Sequence, residues 1–260
     1  MADPSDHLLA EELARGAGAL LVRLRDRLEA LGADDRVVRD VGDLAAHQYL
    51  VDRLRAERPA DTVLSEEDES HDPASGRLEA ARVWIIDPLD GTREYGEGRD
   101  DWAVHVALVE DHEPTAGAVA LPARGVVLST AEPTPLAEPT GGAIRVAVSR
   151  TRPPAVADSA ARRLGATLVP MGSAGVKAVS VVLGTSDVYL HAGGQKQWDN
   201  CAPVAVARAA GAVCTRLDGS PLRYNLGPVE IDDLLVCRPE ILDDVRTAVG
   251  DGSTSGDAQG

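Results

Sequence analysis

The sequence predicts an α+β protein in which layers of helices alternate with layers of sheet. Leucines at helical spacing dominate the start of the chain, and short apolar runs broken by charge, proline or glycine follow them. After residue 142, strand-like and helix-like segments alternate instead. These patterns divide the chain into a first half (1–140), a second half (141–250) and a tail (251–260).

The first half begins with two predicted helices. In the first, from about His7 to Leu31, leucines recur three or four residues apart, and Gly32 is a natural C-terminal stop. The second is expected to begin near Gly42 and Asp43 and to end at about Glu57, shortly before a proline.

Strands are predicted after these helices. Short apolar runs at 62–64, 83–86, 103–109, 115–120 and 125–130 predict a meander. Prolines and glycines between residues 131 and 142 predict a linker. The second half is predicted to hold strands at 144–149, 167–169, 188–191 and 234–237, and helices at 154–164, 173–183, 200–210 and from 240. The Gly- and Ser-rich tail after residue 250 predicts disorder.

The composition is that of a globular protein with a strongly negative charge. Hydrophobic residues make up 44% and charged residues 26%, and no apolar run reaches the roughly 20 residues needed to cross a bilayer. The polar first residues do not resemble a signal peptide, so a cytoplasmic location is expected. A net charge of −16 argues against nucleic acid as a partner. No surface pattern decides between a monomer and a homodimer.

The strongest functional signal is the nine-residue string WIIDPLDGT, from Trp84 to Thr92. An apolar strand ends at Asp87, and Asp90 follows in a turn shaped by proline and glycine. Magnesium prefers hard oxygen ligands of this kind. Gly91 and Thr92 begin the next segment and can offer backbone N–H groups to a phosphate oxygen. A solvated turn is the alternative interpretation of the Asp-Gly pair alone.

Two further acidic segments can contribute to the same site. The run SEEDE follows a predicted strand directly and includes Glu66, although such a run is more often a solvated loop. In QWDNCAP, Asp199 lies where a loop enters a helix, and it could be a metal ligand or an N-cap. Together the three segments supply enough carboxylates for a phosphoryl-transfer site with several metal ions.

The segments SEED, WIIDPLDGT and WDNCAP, in this order, resemble the inositol monophosphatase superfamily, most of all its CysQ-type 3′(2′),5′-bisphosphate nucleotidases. The similarity extends from Asp43 to about Cys237 and includes IRVAVSR, GSAGVK and LDGSPLRY. It implies a fold like that of fructose-1,6-bisphosphatase and inositol monophosphatase. It also implies two or three Mg²⁺ ions and inhibition by lithium.

The resemblance assigns roles to individual residues. The implied metal ligands are the side chains of Glu66, Asp87, Asp90 and Asp199 and the backbone carbonyl of Leu89. The residues implied in substrate binding are Gly91, Thr92, Ser149, Arg150, Ser173, Lys177 and Asp199.

Two residues, Asp43 and Thr92, are implied to orient the attacking water. The family's aspartate follows a stretch of the Lys-x-Asp type, whereas this chain has RVVRDVGD, so Asp40 is a rival for the role of Asp43. Either aspartate could instead be the N-cap of the second helix.

The implied reaction is hydrolysis of a small phosphate ester, namely 3′-phosphoadenosine 5′-phosphate to AMP and phosphate, in sulfur assimilation. The related phosphosulfate is a further candidate substrate. Inositol monophosphatases carry a carboxylate seven residues before the second-half aspartate, and Ala192 at that position counts against inositol phosphate. One alternative is a broader inositol or sugar phosphatase. Another is a non-catalytic module that binds metal or nucleotide, against which the complete set of carboxylates argues.

Overall fold

The structure is a computed structural model that describes residues 2–68 and 76–253. It begins with two helices, α1 (Pro4–Ala30) and α2 (Asp35–Glu57). Each helix starts after an aspartate N-cap, Asp3 or Asp34, whose side chain accepts a backbone hydrogen bond.

The first sheet follows α2 and has the strand order β1-β2-β3-β4-β5. Its strands are β1 (Thr62–Ser65), β2 (Arg82–Asp90), β3 (Ala103–Glu110), β4 (Glu113–Leu121) and β5 (Val126–Ser129). β1 is parallel to β2, and the other neighbours are antiparallel. A short helix, α3 (Thr92–Gly96), follows β2, and a 3-10 turn (Pro122–Arg124) joins β4 to β5.

The second sheet has the strand order β7-β6-β8-β10-β9. Its strands are β6 (Arg145–Ser149), β7 (Thr167–Met171), β8 (Val188–Lys196), β9 (Val213–Thr215) and β10 (Glu230–Cys237). The helices of this half are α4 (Ala155–Leu164), α5 (Ala174–Val182), α6 (Gln197–Ala209) and α7 (Leu242–Ser253), the last preceded by a 3-10 turn (Pro239–Ile241). β6 is parallel to β7 and β8, whereas β10 is antiparallel to β8 and β9.

The elements stack in five layers: α1 with α2, the first sheet, α5 with α6, the second sheet, and α4 with α7. The alternation along β2 shows how the layers separate. Trp84 and Ile86 pack towards α1 and α2, whereas Val83 and Ile85 pack towards α5 and α6. One apolar cluster joins both sheets through α5 and α6. This arrangement confirms the predicted layered α+β fold.

The predicted start of α2 is wrong. The helix begins at Asp35, so Asp40 and Asp43 lie inside it and Asp34 is the N-cap. Gly42 does not mark the start of α2 but lies inside the helix, where it lets α2 approach an aromatic ring closely. A Cβ atom there would lie 2.7 Å from Cε1 of Tyr95. Tertiary packing therefore outweighs the low helix propensity of glycine at this position.

Several other boundaries differ from the prediction. β2 and β8 continue to Asp90 and Lys196, and α6 begins at Gln197. α3 and β9 were not predicted. α7 extends to Ser253, into the predicted tail, while residues from 254 onwards and Glu69 of the acidic run lie outside the described residues. In the ranges 2–68 and 76–253, no helix is both long and apolar enough to span a bilayer. The division at residue 140 stays a prediction.

Candidate active site

Two neighbouring strands of the first sheet bring acidic residues to the same edge. β1 and β2 are parallel, with Ser65 paired to Ile86. The next residues along these two segments are Glu66 and Asp87. Asp87 lies on the same face of β2 as Ile85, towards the central helix layer, and is 1% exposed. The motif therefore places its first carboxylate between the first sheet and α5 and α6.

Four carboxylates, those of Glu66, Asp87, Asp90 and Asp199, interact in this place. Burial raises the pKa of Asp87 well above its ordinary value, and the charges of the other three raise it further. Burial also raises the pKa of Glu66 to about 7 and the pKa of Asp199 to about 7. Since like charges repel strongly in a buried site, the four carboxylates need added positive charge in order to stay ionised together.

The start of α5 fixes Asp90. Oδ2 of Asp90 accepts hydrogen bonds from the Ser173 hydroxyl and, over 2.7 Å, from the Gly175 amide. Ser173 is also the N-cap of α5, since its Oγ accepts a hydrogen bond from the Val176 amide over 3.0 Å. A residue predicted to bind substrate is thus in direct contact with a predicted metal ligand.

The turn after β2 holds three predicted site residues in place. The Leu89 amide donates to Oδ1 of Asp87 over 3.1 Å, and the Thr92 hydroxyl donates to the Leu89 carbonyl over 3.1 Å. Gly91 has a φ of +88°, in the left-handed region that favours glycine. A Cβ atom at Gly91 would also lie 3.2 Å from Cβ of Ser173. Both the backbone conformation and the close approach of α5 therefore call for glycine here.

Asp43 reaches the carboxylate cluster from α2. It is half-buried, whereas Asp40, three residues earlier, is exposed. Burial raises the pKa of Asp43 to about 8, and the charges of Glu67 and Glu66 raise it as well. Asp43 is therefore the better placed of the two aspartates for a role beside Glu66.

His105 also belongs to the site, although no local sequence pattern predicts a role for it. It is fully buried on β3, in register with Asp87. Nδ1 of His105 lies 3.0 Å from the Trp198 carbonyl, and Nε2 lies 3.3 Å from Oδ2 of Asp90 without a hydrogen-bond partner. Burial lowers the pKa of His105, although the charge of Asp90 acts in the opposite direction. Only the register of β2 and β3 places this residue in the site, and no local sequence pattern shows that register.

A cavity of about 340 Å³ opens beside Asp199 in the second half. Its walls include Ala174, Lys177, Tyr189, His191, Gln195 and Asp199. Lys177 is only 4% exposed, and its Nζ donates to the carbonyls of Gly172 and, over 2.8 Å, Ser173. Burial lowers the pKa of Lys177. The lysine predicted to bind substrate thus lies at the cavity, but it already holds two backbone carbonyls.

A second cavity, of about 290 Å³, lies beside the turn after β2. Its walls include the predicted residues Gly91, Thr92, Ser149, Arg150 and Ser173. Arg150 donates to Glu94 over 2.7 Å and to Glu97 over 3.0 Å, so its charge is already paired. Arg152 lines both cavities, and it has no ion pair within the described part of the chain. The prediction missed Arg152, for which the only signal is its position two residues after Arg150.

No lysine or arginine side chain forms an ion pair with the carboxylate cluster in the described part of the chain. Within residues 2–68 and 76–253, no side-chain nitrogen of lysine or arginine lies within 4.0 Å of a carboxylate oxygen of Glu66, Asp87, Asp90 or Asp199. Asp199 does accept a hydrogen bond from the backbone amide of Lys196, over 2.7 Å. Oδ2 of Asp87 is buried without a hydrogen-bond partner. Because oxygen donors of this kind are the preferred ligands of Mg²⁺, the residues fit a divalent cation.

Known proteins of similar sequence cover nearly the whole chain. The chain is 48% identical over 254 residues to the 3′-phosphoadenosine 5′-phosphate phosphatase of Mycobacterium leprae, covering 92% of each chain. The protein of the same name from Mycobacterium tuberculosis is 50% identical over 245 residues, with 90% of each covered. The 3′(2′),5′-bisphosphate nucleotidase CysQ of Escherichia coli K12 is 31% identical over 229 residues, with 82% of this chain and 92% of that protein covered.

Solved structures share the fold. CysQ from Bacteroides thetaiotaomicron superimposes with a TM-score of 0.76 at 25% identity, covering 89% of this chain and 96% of that one. Inositol monophosphatase II from Staphylococcus aureus superimposes with a TM-score of 0.79 at 19% identity, covering 99% and 100%. The sequence profile of the inositol monophosphatase family matches residues 7–248. This chain, with its layered fold and the acidic residues where β1 and β2 end, belongs to the inositol monophosphatase family.

Proposed function

We propose that this protein is a magnesium-dependent phosphatase that hydrolyses 3′-phosphoadenosine 5′-phosphate to AMP and phosphate. The relatives of that name, at 48% and 50% identity over most of both chains, support the substrate. The observation that carries the chemistry is the environment of Asp87. One of its oxygens is buried without a hydrogen-bond partner, three further carboxylates raise its pKa, and within the described residues no lysine or arginine side chain pairs with it. Such a cluster is suited to holding divalent cations.

The residues that would hold two or three Mg²⁺ ions are Glu66, Asp87, Asp90 and Asp199, with the carbonyl of Leu89. Bound magnesium supplies positive charge to the phosphoryl oxygens and lowers the pKa of a bound water. Hydrogen bonds within the chain hold two of these ligands in place. Ser173 and Gly175 fix one oxygen of Asp90, and the Leu89 amide orients Asp87.

Thr92 and Asp43 are the proposed residues that orient the attacking water. The Thr92 hydroxyl donates to the Leu89 carbonyl, so its oxygen lone pairs can accept a hydrogen bond from the attacking water. Asp43 approaches from α2, beside Glu66. The amides of Gly91 and Thr92, at the start of α3, are the proposed contacts for a phosphoryl oxygen.

The rest of the substrate would lie across the two cavities. Ser149 and Arg152 line both, and Lys177 and Asp199 line the one in the second half. Arg152 is exposed and has no ion pair within the described residues, so it is better suited than the paired Arg150 to meet the 5′-phosphate. We therefore extend the predicted set by this arginine.

A panel of phosphate esters tests the proposal. The purified protein is assayed for phosphate release from 3′-phosphoadenosine 5′-phosphate, its phosphosulfate relative, inositol monophosphate and a sugar phosphate, with Mg²⁺ and with added Li⁺. We expect the bisphosphate nucleotide to have the highest kcat/KM, activity to require Mg²⁺, and Li⁺ to inhibit. Faster cleavage of inositol monophosphate would overturn the substrate assignment. Binding of metal or nucleotide without any phosphate release would mean that the protein is a non-catalytic module.

A further inference from the structure

A buried arginine joins the two halves at a distance from the carboxylates themselves. Arg77 is 1% exposed and precedes β2. Nη1 of Arg77 donates to Oδ1 of Asn225 and to the Leu226 carbonyl, both over 3.0 Å, and Nη2 donates to the Gly227 carbonyl over 2.9 Å. The Asn225 side chain returns a hydrogen bond to the Arg77 carbonyl over 2.9 Å. A segment of the first half thus holds the loop that precedes β10.

The partners of Arg77 are unusual for a buried cation. Each is a neutral carbonyl or amide oxygen, and no carboxylate pairs with Arg77 within the described residues. Its Nε has no hydrogen-bond partner. A charge without a counter-ion is costly to bury, so a contribution to stability alone gives little reason for an arginine here. Its guanidinium group does, however, bind three consecutive residues of one loop in a fixed geometry.

That loop holds the start of α6. The backbone N–H of Asn225 donates to Oε1 of Gln197 over 2.6 Å. Gln197 in turn donates two hydrogen bonds to this loop. Its side-chain Nε2 donates to the Pro228 carbonyl over 2.7 Å, and its backbone N–H donates to the Val229 carbonyl over 2.8 Å. Gln197 is the first residue of α6, two residues before Asp199. A continuous chain of hydrogen bonds therefore leads from Arg77 to the turn of helix that carries Asp199.

We propose that Arg77 is a positioning residue that holds the start of α6, and with it Asp199, in register with the carboxylates at the end of the first sheet. The inference rests on the proposed metal-dependent function. Three of the four clustered carboxylates come from the first half and only Asp199 from the second. A tie between the halves at this point therefore controls the spacing of the cluster. Arg77 does not touch the site and acts through the 225–229 loop.

The test compares Arg77→Met with a matched control, Arg238→Met. Arg238 is also buried, at 5% exposed, and also holds a loop, because its Nη1 donates to the Ala137 carbonyl over 2.7 Å. Among the described residues, the Arg238 side chain contacts Glu240 and Ala137 and forms no hydrogen bond or ion pair with the carboxylate cluster or with the 225–229 loop. Both variants leave carbonyl oxygens without a hydrogen-bond donor, so both should lower the melting temperature of the metal-free protein. They should differ in metal binding.

The main readout is the Mg²⁺ concentration that gives half of the maximal rise in melting temperature. It needs no turnover. In Arg77→Met we expect this concentration to rise by about 10-fold or more, in the range seen when residues that support metal ligands are removed. In the same variant kcat should fall more than KM changes. In Arg238→Met the half-saturating Mg²⁺ concentration should stay within about twofold of that of the unchanged protein.

A second variant keeps the test decisive if Arg77→Met does not fold. Asn225 has a left-handed φ of +52°, so Asn225→Gly keeps the backbone conformation while removing the side chain that pairs with Arg77. It should raise the half-saturating Mg²⁺ concentration in the same direction. Unchanged Mg²⁺ binding in a folded Arg77→Met or Asn225→Gly protein, or an equal shift in Arg238→Met, would overturn the inference while leaving the proposed function intact. If Mg²⁺ neither binds to nor activates the unchanged protein, both proposals fail.

Discussion

Two groups of buried carboxylates in this protein have opposite surroundings. At the outer face of the first sheet, Asp6 accepts hydrogen bonds from Arg58 over 2.8 Å and from Arg82 over 3.0 Å. Burial alone would raise the pKa of Asp6, but these arginines outweigh it and the pKa lies below the ordinary value. Near the carboxyl end of β2 in the same sheet, Asp87 has neighbouring carboxylates and, among the described residues, no arginine partner, and its pKa lies well above the ordinary value.

The difference separates a structural role from a functional one. Where a buried carboxylate serves the fold, the chain supplies its counter-charge through Arg58 and Arg82. At Asp87 the chain supplies further negative charge instead, which destabilises the metal-free protein. The missing counter-charge must come from solution. This contrast distinguishes the two groups even though both consist of ordinary acidic residues.

The largest effect that would sharpen this contrast is expected for Asp87→Asn. We expect phosphate release to fall by more than about 100-fold, beyond the loss typical of residues that only support a ligand. The melting temperature of the metal-free variant should be at least as high as that of the unchanged protein, because a buried ionisable group that has no counter-charge is gone. Steady-state kinetics and thermal unfolding measure the two quantities. Full activity in this variant would refute the role of Asp87.

Adding magnesium should stabilise the folded protein only through the carboxylate cluster that contains Asp87, and not through Asp6. At 100 times the dissociation constant, bound Mg²⁺ is expected to add about 2.7 kcal/mol to the free energy of unfolding. Thermal unfolding with a Mg²⁺ titration, against KCl at matched ionic strength, measures this gain. Asp87→Asn should lose most of it, whereas Asp6→Asn should keep it. An equal response to KCl would mean that general screening, and not a specific site, is responsible.

Removing the paired carboxylate should have the reverse consequences. We expect Asp6→Asn to lower the free energy of unfolding by about 2 kcal/mol, because Arg58 and Arg82 lose a buried partner. Turnover should stay close to that of the unchanged protein. Asp100→Asn is the control: Asp100 pairs with Arg124 at an exposed position, and its loss should change stability by less than about 1 kcal/mol. Urea unfolding of the two variants makes the comparison. Equal effects would remove the distinction between buried and exposed pairs.

The smallest expected effect is a pH dependence. The pKa of Asp6 is lowered by folding from an ordinary value of 3.8, so its contribution to stability is present above that value. The contribution is lost as the pH falls through the lower pKa of the folded state. The stability difference between the unchanged protein and Asp6→Asn should therefore shrink below about pH 4. Denaturant unfolding between about pH 6 and pH 3 follows it, and a constant difference would contradict the pairing.

Local patterns were enough to predict β1, which directly precedes Glu66, and β2, which carries Asp87, because strand, turn and acidic residues are contiguous there. The start of α2 was missed because Gly42 resembles a helix boundary and is in fact a contact point for Tyr95. His105 was missed because only the pairing of β2 with β3 brings it to Asp87. These errors share one cause: each missed feature depends on a contact with a residue distant in sequence.

Arg152 and Arg150 illustrate the same limit for the substrate cavities. The two residues lie in one basic segment, and nothing local says which is already paired. The answer comes from Glu94 and Glu97, more than 50 residues away, which accept hydrogen bonds from Arg150. Residue type thus indicated that an arginine would be available near Ser149, but not which one.

The central layer of α5 and α6 has a consequence for how the chain can be divided. Both sheets bury apolar side chains against these two helices, and a single cluster includes Ile85 of the first sheet and Val236 of the second. Cutting the chain in the linker near residue 140 would expose that shared interior on each fragment. Although the linker resembles a boundary between two domains, we expect neither fragment to fold by itself, so neither could be moved into another protein as a unit.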